Sequence, residues 1–195
     1  MKIAGIVLAA GRSERMGRSK ALLEIGGETF LERAIGILAD GGCEEIVAVL
    51  GRGEAGGAAG ELARGRGAEP VENPRGGEQI DSLRLGLAAV PADAAAAIVL
   101  PVDHPLADAG TVAALIAEFE ASRAPIVRPV YRDRPGHPVL FARGLWPELS
   151  DPDLEAGARD VVHRHVEAIR DVPIEDRGVT VDVDTPADYR REVQR

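Results

Sequence analysis

Cysteine occurs once in the 195 residues, at Cys43, which excludes an internal disulfide and a cysteine-cluster metal site. Beside the Gly41-Gly42 break, Cys43 reads as a small, partly buried residue rather than a nucleophile. Aromatic residues make up only 3% of the chain, so the core must be assembled from Ala, Val, Leu and Ile. No apolar run approaches the ~20 residues that cross a bilayer, and the first residues lack a signal-peptide layout, so the expected location is cytoplasmic. Positive charge is in deficit too. The formal net charge is −9, and neither nucleic acid nor a membrane is an expected partner. Lysine is nearly missing: Lys2 and Lys20 are the only two, and arginine fills the other basic positions.

What is present has the pattern of an α/β protein. Short apolar, β-branched runs alternate with longer amphipathic ones, as in βαβ units around a mostly parallel sheet. The runs predict strands at Ile3 to Leu8, Glu45 to Leu50, Ala68 to Glu72, Ala96 to Pro101, Pro125 to Val130, Pro138 to Phe141 and Val179 to Val183. Helices are predicted at Thr29 to Ala39, Gly57 to Arg64, Asp81 to Ala89, Asp108 to Ala121, Ala156 to His165 and Ala187 to Val193. With no linker of domain-separating length and no internal repeat, residues 1–195 read as one domain. Ligands of such sheets collect at the carboxyl ends of the strands. The Gly11 loop, the Asp103 loop and the Asp182 to Thr185 segment each sit at such an end.

The first of these is the richest. Leu8-Ala-Ala-Gly-Arg-Ser-Glu-Arg-Met-Gly-Arg-Ser-Lys20 puts Gly11 and Gly17, which let backbone N–H groups approach anionic oxygens, among Arg12, Arg15, Arg18 and Lys20. A lysine kept in a chain that otherwise uses arginine suggests a task for a compact, mobile ammonium in a solvent-facing loop. The segment reads as a triphosphate-holding loop. It is not a P-loop, since Met16 stands where that motif has its second glycine and no Gly-Lys-Ser/Thr follows.

Asp103, in a turn stiffened by Pro101 and Pro105, is a natural hard-metal ligand, its alternatives being a turn residue or helix cap. Asp182 and Asp184 alternate along the predicted strand, so only one should face a metal; as a helix cap, Asp184 would precede Thr185-Pro186. Ser82 and Arg84 open the helix after Gly76-Gly77, where Ser82 alternatively only terminates it. Arg132, Arg134 and His137 surround Gly136-His-Pro138, either a docking loop or a solvated turn. His163 and His165 read as surface residues. Gly51-Arg-Gly-Glu-Ala-Gly56 formally satisfies the dinucleotide fingerprint, with Glu72 as acidic partner at an awkward offset, and leaves a NAD-binding oxidoreductase as an alternative.

The pattern Leu-Ala-Ala-Gly-x-x-x-Arg-Met-Gly-x-x-Lys resembles the opening of the MobA-like nucleotidyltransferases. Asn73-Pro74 with Ser82-Leu-Arg-Leu-Gly-Leu87, Gly136-His-Pro-Val-Leu-Phe141, Gly157-Ala-Arg159 and Asp182-Val-Asp-Thr-Pro-Ala-Asp-Tyr189 follow in the order of the molybdenum cofactor cytidylyltransferases. The resemblance implies a single-domain, three-layer Rossmann-like α/β fold of the nucleotide-diphospho-sugar transferase type. It implies Mg²⁺-dependent transfer of CMP from CTP to a phosphate-bearing acceptor, molybdopterin above all, with a molybdoenzyme as a possible partner. The roles it suggests are catalytic for Arg15, Lys20 and Asp103, and metal-binding for Asp103 and Asp184, Asp184 being favoured over Asp182. Nucleotide or acceptor contacts fall to Leu8, Ala9, Ala10, Gly11, Arg12, Gly77, Ser82, Arg84 and His137, with Ala9-Ala10 resembling the cytidine-using form. Three stretches depart from the pattern: Val102-Asp-His-Pro105 replaces Cys-Asp-Gln-Pro, Glu78-Gln-Ile-Asp-Ser82 replaces Gly-Met-Ser-Ser-Ser, and Leu154-Glu155 replaces Gly-Asp. All lie where the family handles the acceptor or the base, which keeps a catalytically silent nucleotide-sensing domain among the alternatives.

Overall fold

The computed structural model describes residues 1–11, 16–76 and 78–194, and Arg12, Arg15 and Gly77 lie outside the described residues. Among the described residues ten strands form: β1 (Ile3–Ala9), β2 (Glu24–Ile25), β3 (Glu28–Thr29), β4 (Glu45–Leu50), β5 (Glu69–Glu72), β6 (Ala96–Pro101), β7 (Ile126–Tyr131), β8 (Arg134–Pro135), β9 (Val139–Ala142) and β10 (Ile169–Pro173). The α-helices are α1 (Phe30–Asp40), α2 (Glu54–Gly65), α3 (Gln79–Ala89), α4 (Ala109–Ser122), α5 (Trp146–Leu149), α6 (Ala158–Arg164) and α7 (Pro186–Glu192).

The main sheet runs β10-β7-β9-β6-β1-β4-β5, with β8 paired to β7, while β2 and β3 form a separate hairpin. β1, an interior strand, is buried at every position and lies parallel to β4 and β6, in register Ile6↔Val47 and Ile6↔Val99. A strand covered on both faces has no polar face to show, which is why it reads as a continuous apolar run. β9 is antiparallel to both neighbours, β6 and β7.

Alternation along the strands divides the core between the two faces. Ile3, Val7, Ala48, Ile98 and Leu100 pack with Phe30, Ile35, Leu38, Val112, Leu115 and Phe119 of α1 and α4. Ile6, Val49, Ala97 and Val99 pack on the other side with Leu83 and Leu87 of α3, Trp146 and Leu149 of α5 and Val161 of α6. The fold is three-layered α/β with a mostly parallel sheet: the apolar pattern predicted the sheet, and the family resemblance implied the layers. α1 starts at a capping box in which Thr29 and Glu32 satisfy each other's backbone N–H groups, a device worth about 1 kcal/mol.

One predicted strand is absent. Val179 to Val183 instead begins in the second half of a 3₁₀ turn, Arg177–Thr180, capped by the Asp176 carboxylate on Gly178 N at 2.7 Å. A Cβ on Gly178 would lie 1.8 Å from Leu106 O, so the chain passes against the loop after β6 too closely for any other residue. That close passage buries Val179 and Val183 as a strand would. The sequence reading also missed the β2–β3 hairpin, β8, α5 and the edge strand β10, whose Arg170 and Asp171 face solvent.

Candidate active site

The loops that follow β1 and β6, and the segment before α7, meet at the carboxyl edge of the sheet. Val102 N donates to Leu8 O at 3.0 Å, so the Asp103 loop leaves the sheet hydrogen-bonded to the end of β1. Val183 N donates to Asp103 O at 2.8 Å, which ties the Asp184 segment to that loop. Neither carboxylate caps a helix: the N-cap of α4 is Asp108 and that of α7 is Thr185, in a capping box with Asp188. The cap alternatives for Asp103 and Asp184 are therefore set aside. Asp182 is exposed and Asp184 half-buried.

Lys20 joins the two. Its Nζ donates to Asp103 Oδ2 at 3.1 Å and to Asp184 Oδ1 in a shorter contact. Its side chain is only 13% exposed, so the lysine is enclosed between the carboxylates rather than held in a solvent-facing loop. Burial by itself would lower its pKa, but Asp103 and Asp184 together outweigh burial and hold it above the ordinary lysine value.

Two cavities open at the end of β1, one lined by Leu8 and the other by Ala9 and Ala10. The smaller, about 430 Å³, is walled by Ala9, Ala10, Gly11, Gly17, Arg18 and Ser19 of the first loop, and by Gly51, Arg52, Ala55, Gly56 and Ala59 of the β4–α2 turn. Glycine shapes that turn. Gly53 has φ +85°, and a Cβ on Gly56 would lie 1.9 Å from Gly51 O, so α2 can sit against the strand end only with hydrogen there. Arg52 Nε meets Glu72 Oε1 at 3.0 Å at the rim.

The larger cavity, about 660 Å³, has a predominantly apolar wall that includes Leu8, Ile80, Leu83, Val99, Ile126 and Phe141. Polar residues, among them Glu78, Gln79, Arg128, His137, Arg159 and His163, make up about a third of the lining. His137 is positioned by Gly136 N donating to Pro129 O at 2.9 Å and by its own N donating to Val179 O at 2.8 Å. Its ring lies 4.7 Å from that of His104, and Nδ1 of each is buried without a partner among the described residues. Burial lowers both pKa values, that of His137 to about 4, with His104 beside it adding to the effect.

The sequence-predicted residues thus separate. Lys20, Asp103 and Asp184 meet, and Ala9, Ala10 and Gly11 face the small cavity, whereas Leu8 and His137 face the large one. Ser82 and Arg84 line neither. Ser82, inside α3, is buried and accepts from Asn73 Nδ2 at 3.0 Å. Arg84 bonds Asp81 and the Asp151 carbonyl, fastening α3 to the loop after α5. Asn73, 1% exposed, is the residue that function-directed reading undervalued: its Oδ1 accepts from Arg75 N and Gly76 N and shapes the turn beside the small cavity. A buried Asn before Pro and two glycines was the available signal.

The donor set fits a hard divalent cation. Two carboxylates from separate segments converge on one cationic group, and Mg²⁺ takes one or two carboxylates, leaving its other positions to phosphate and water. The described residues hold no cluster of three or more His, Cys, Asp or Glu placed for a metal, and no helix among them is long and apolar enough to cross a membrane.

Comparison with known proteins gives these features a family. Residues 5–169 match the MobA-like NTP transferase domain. Nicotine blue oxidoreductase of Paenarthrobacter nicotinovorans is 31% identical, over 94% of this chain and 92% of that protein. A molybdenum cofactor guanylyltransferase of Rhizobium johnstonii is 33% identical, over 79% of this chain and 68% of that one. Among solved structures, Rv0371c of Mycobacterium tuberculosis superimposes with a TM-score of 0.83 at 30% identity, covering 100% of this chain and 99% of that one. A structure of the same protein in complex with manganese gives 0.79 at 27% identity, with the same coverage. A nucleotidyl transferase of Methanothermobacter thermautotroptrophicus shares the fold, with a TM-score of 0.83 at 20% identity over 99% of this chain and 96% of that one. By its matched segment, its nucleotidyltransferase-type sheet and its glycine loop, the chain belongs to the MobA-like NTP transferase domain family.

Proposed function

We propose that this protein transfers a nucleoside monophosphate from a nucleoside triphosphate to a phosphate-bearing small molecule, releasing pyrophosphate. The observation that carries the reading is the meeting of Lys20, Asp103 and Asp184 at the carboxyl edge of the sheet. The triphosphate lies along the first loop with its nucleoside in the small, glycine-walled cavity, and the acceptor enters the larger one. An acceptor phosphate monoester, whose second pKa is near 6, already carries a nucleophilic oxygen at neutral pH, so no general base is required. That oxygen forms a bond to the α-phosphorus while the bond from the α-phosphorus to the bridging oxygen breaks, and pyrophosphate leaves with the electron pair. Lys20 and the first loop supply positive charge for the phosphates, and Asp103 and Asp184 would hold Mg²⁺. When bound, the ion neutralises charge on the transferring group and orients it.

The acceptor reading of molybdopterin rests on the family motifs and on the name of the Rhizobium relative. For the base, Ser82 no longer argues for cytosine, since it is engaged with Asn73, and Ala9-Ala10 alone favours CTP. The relative's name speaks for GTP. A panel of nucleoside triphosphates with Mg²⁺, scored by binding and by pyrophosphate release with candidate acceptors, decides. Binding of none of them would overturn the proposal.

A second reading has its own support. The glycines of Gly51-Arg-Gly-Glu-Ala-Gly56 stand at a strand–turn–helix junction, Glu72 ends the adjacent parallel strand, and one relative is named an oxidoreductase. On this reading the small cavity takes a nicotinamide dinucleotide. Binding of NADH in preference to every triphosphate, lost in Gly53→Val, would establish it.

A further inference from the structure

We infer that Lys20 is the resident cation of the Asp103–Asp184 pair, holding the metal position closed until a polyphosphate draws the ammonium away. The inference rests on the proposed cation site and adds the order in which it fills.

Two carboxylates brought together from the loop after β6 and the segment before α7 repel each other, and the structure answers that repulsion with an ammonium in contact with one oxygen of each. A divalent ion seated between the two carboxylates would compete with the ammonium for them and meet its like charge. Mg²⁺ binds oxygen at about 2.0–2.1 Å and gives up its water reluctantly. With both carboxylates already turned to Nζ, the hydrated ion must displace an ammonium of like charge that is hydrogen-bonded and largely enclosed.

The parts differ in mobility in the way such an exchange requires. The carboxylates stand on short side chains whose backbones are tied together through Val183 N and Asp103 O at 2.8 Å, so their pairing survives the departure of the lysine. Lys20 reaches them on a flexible four-carbon stem from a turn pinned by Leu22 N to Ser19 O at 3.2 Å and Leu23 N to its own carbonyl at 3.1 Å. The adjoining Gly17, Arg18 and Ser19 wall the small cavity, so the ammonium can pass from carboxylate to phosphate without movement of the main chain. Metal and nucleotide then enter together, and the free protein discriminates against the bare ion.

The test is a titration of the whole chain with Mn²⁺ in the absence of nucleotide, following the free-ion electron paramagnetic resonance signal, for wild type, Lys20→Met, Lys20→Gln and Lys20→Arg, with circular dichroism on each. The neutral variants should bind Mn²⁺ at least tenfold more tightly than wild type, and Lys20→Arg, which keeps a cation against both carboxylates, should not. Two neutral variants keep the test alive if one fails to fold. Equal Mn²⁺ affinity in wild type and a folded neutral variant overturns the inference while leaving nucleotidyl transfer standing. Absence of Mn²⁺ binding in every variant overturns the cation site itself, and failure of the triphosphate panel is read separately.

Discussion

The two cavities at the end of β1 are built on opposite principles. The smaller is made of backbone: glycines and alanines from two strand–helix turns, with arginine at its edge. The larger is made of side chains, mostly aliphatic, drawn from β6, β7, β9, α3 and α6. A site made of backbone suits a ligand common to a whole family, because peptide N–H groups recognise phosphate whatever else the molecule carries. A site made of side chains can be rebuilt by substitution. The three stretches that depart from the family pattern have their closest structural relation to the second site: Glu78, Gln79, Ile80 and Glu155 lie in its wall, and His104 stacks on the His137 that faces it.

Asp103→Asn removes a carboxylate of the Lys20 cluster, outside the walls of both cavities, and should have the largest effect. On the proposed mechanism turnover should fall about 10³-fold, with nucleotide affinity changed less than about tenfold, since the carboxylate would act mainly on the transferring group. Pyrophosphate release against Mg²⁺ concentration measures it, and wild-type turnover would move that role to another residue. Gly56→Ala addresses only the backbone-built half. The new Cβ must displace the β4–α2 turn, which we expect to cost about 1–3 kcal/mol of stability and about tenfold in nucleotide affinity, read by thermal melting and calorimetry. Unchanged nucleotide binding would disconnect that turn from the site.

Ala158→Trp fills the side-chain-built half from the start of α6. The KM for the acceptor should rise about tenfold, while nucleotide affinity stays within about twofold of wild type; a parallel loss of nucleotide affinity would merge the two sites. The mildest probe is acid. Buried His137 has its pKa lowered to about 4, from about 6.5 in the unfolded chain, and His104 shifts in the same direction. The unfolded state therefore takes up protons first as pH falls. Stability is full above about pH 6.5 and declines towards pH 4, by about 1–2 kcal/mol at pH 5 for His137. Denaturant melts of wild type and His137→Phe should converge as pH falls, and parallel curves would contradict this origin.

Much of the fold was legible because its signals are local. β4 and β6 were read with their observed limits, and the limits of β1 and α1 were read to within a residue, from continuous apolar runs and from a capping residue followed by helical periodicity. The strand predicted at Val179 to Val183 failed because its apolar residues are buried by the close approach of Gly178 to Leu106, which sequence neighbours cannot report. β10 escaped notice because an edge strand with one exposed face keeps charge in its pattern. In the site, Lys20, Asp103 and Asp184, expected from the sequence to act together, do meet, whereas Ser82 and Arg84, expected near the ligand, bond Asn73 and the Asp151 carbonyl and line neither cavity.

The sequence by itself determined which segments are strands buried on both faces, where glycine must stand and which residue types carry charge, since steric freedom and hydrophobic periodicity depend on near neighbours. The tertiary structure alone decided that Lys20, Asp103 and Asp184 share one point although 83 and 164 positions separate the lysine from its two partners. It also decided that Leu8 and Ala9, adjacent in the chain, open onto different cavities. Both outcomes come from the order and direction of strands in the sheet, which long-range packing sets and no local pattern encodes.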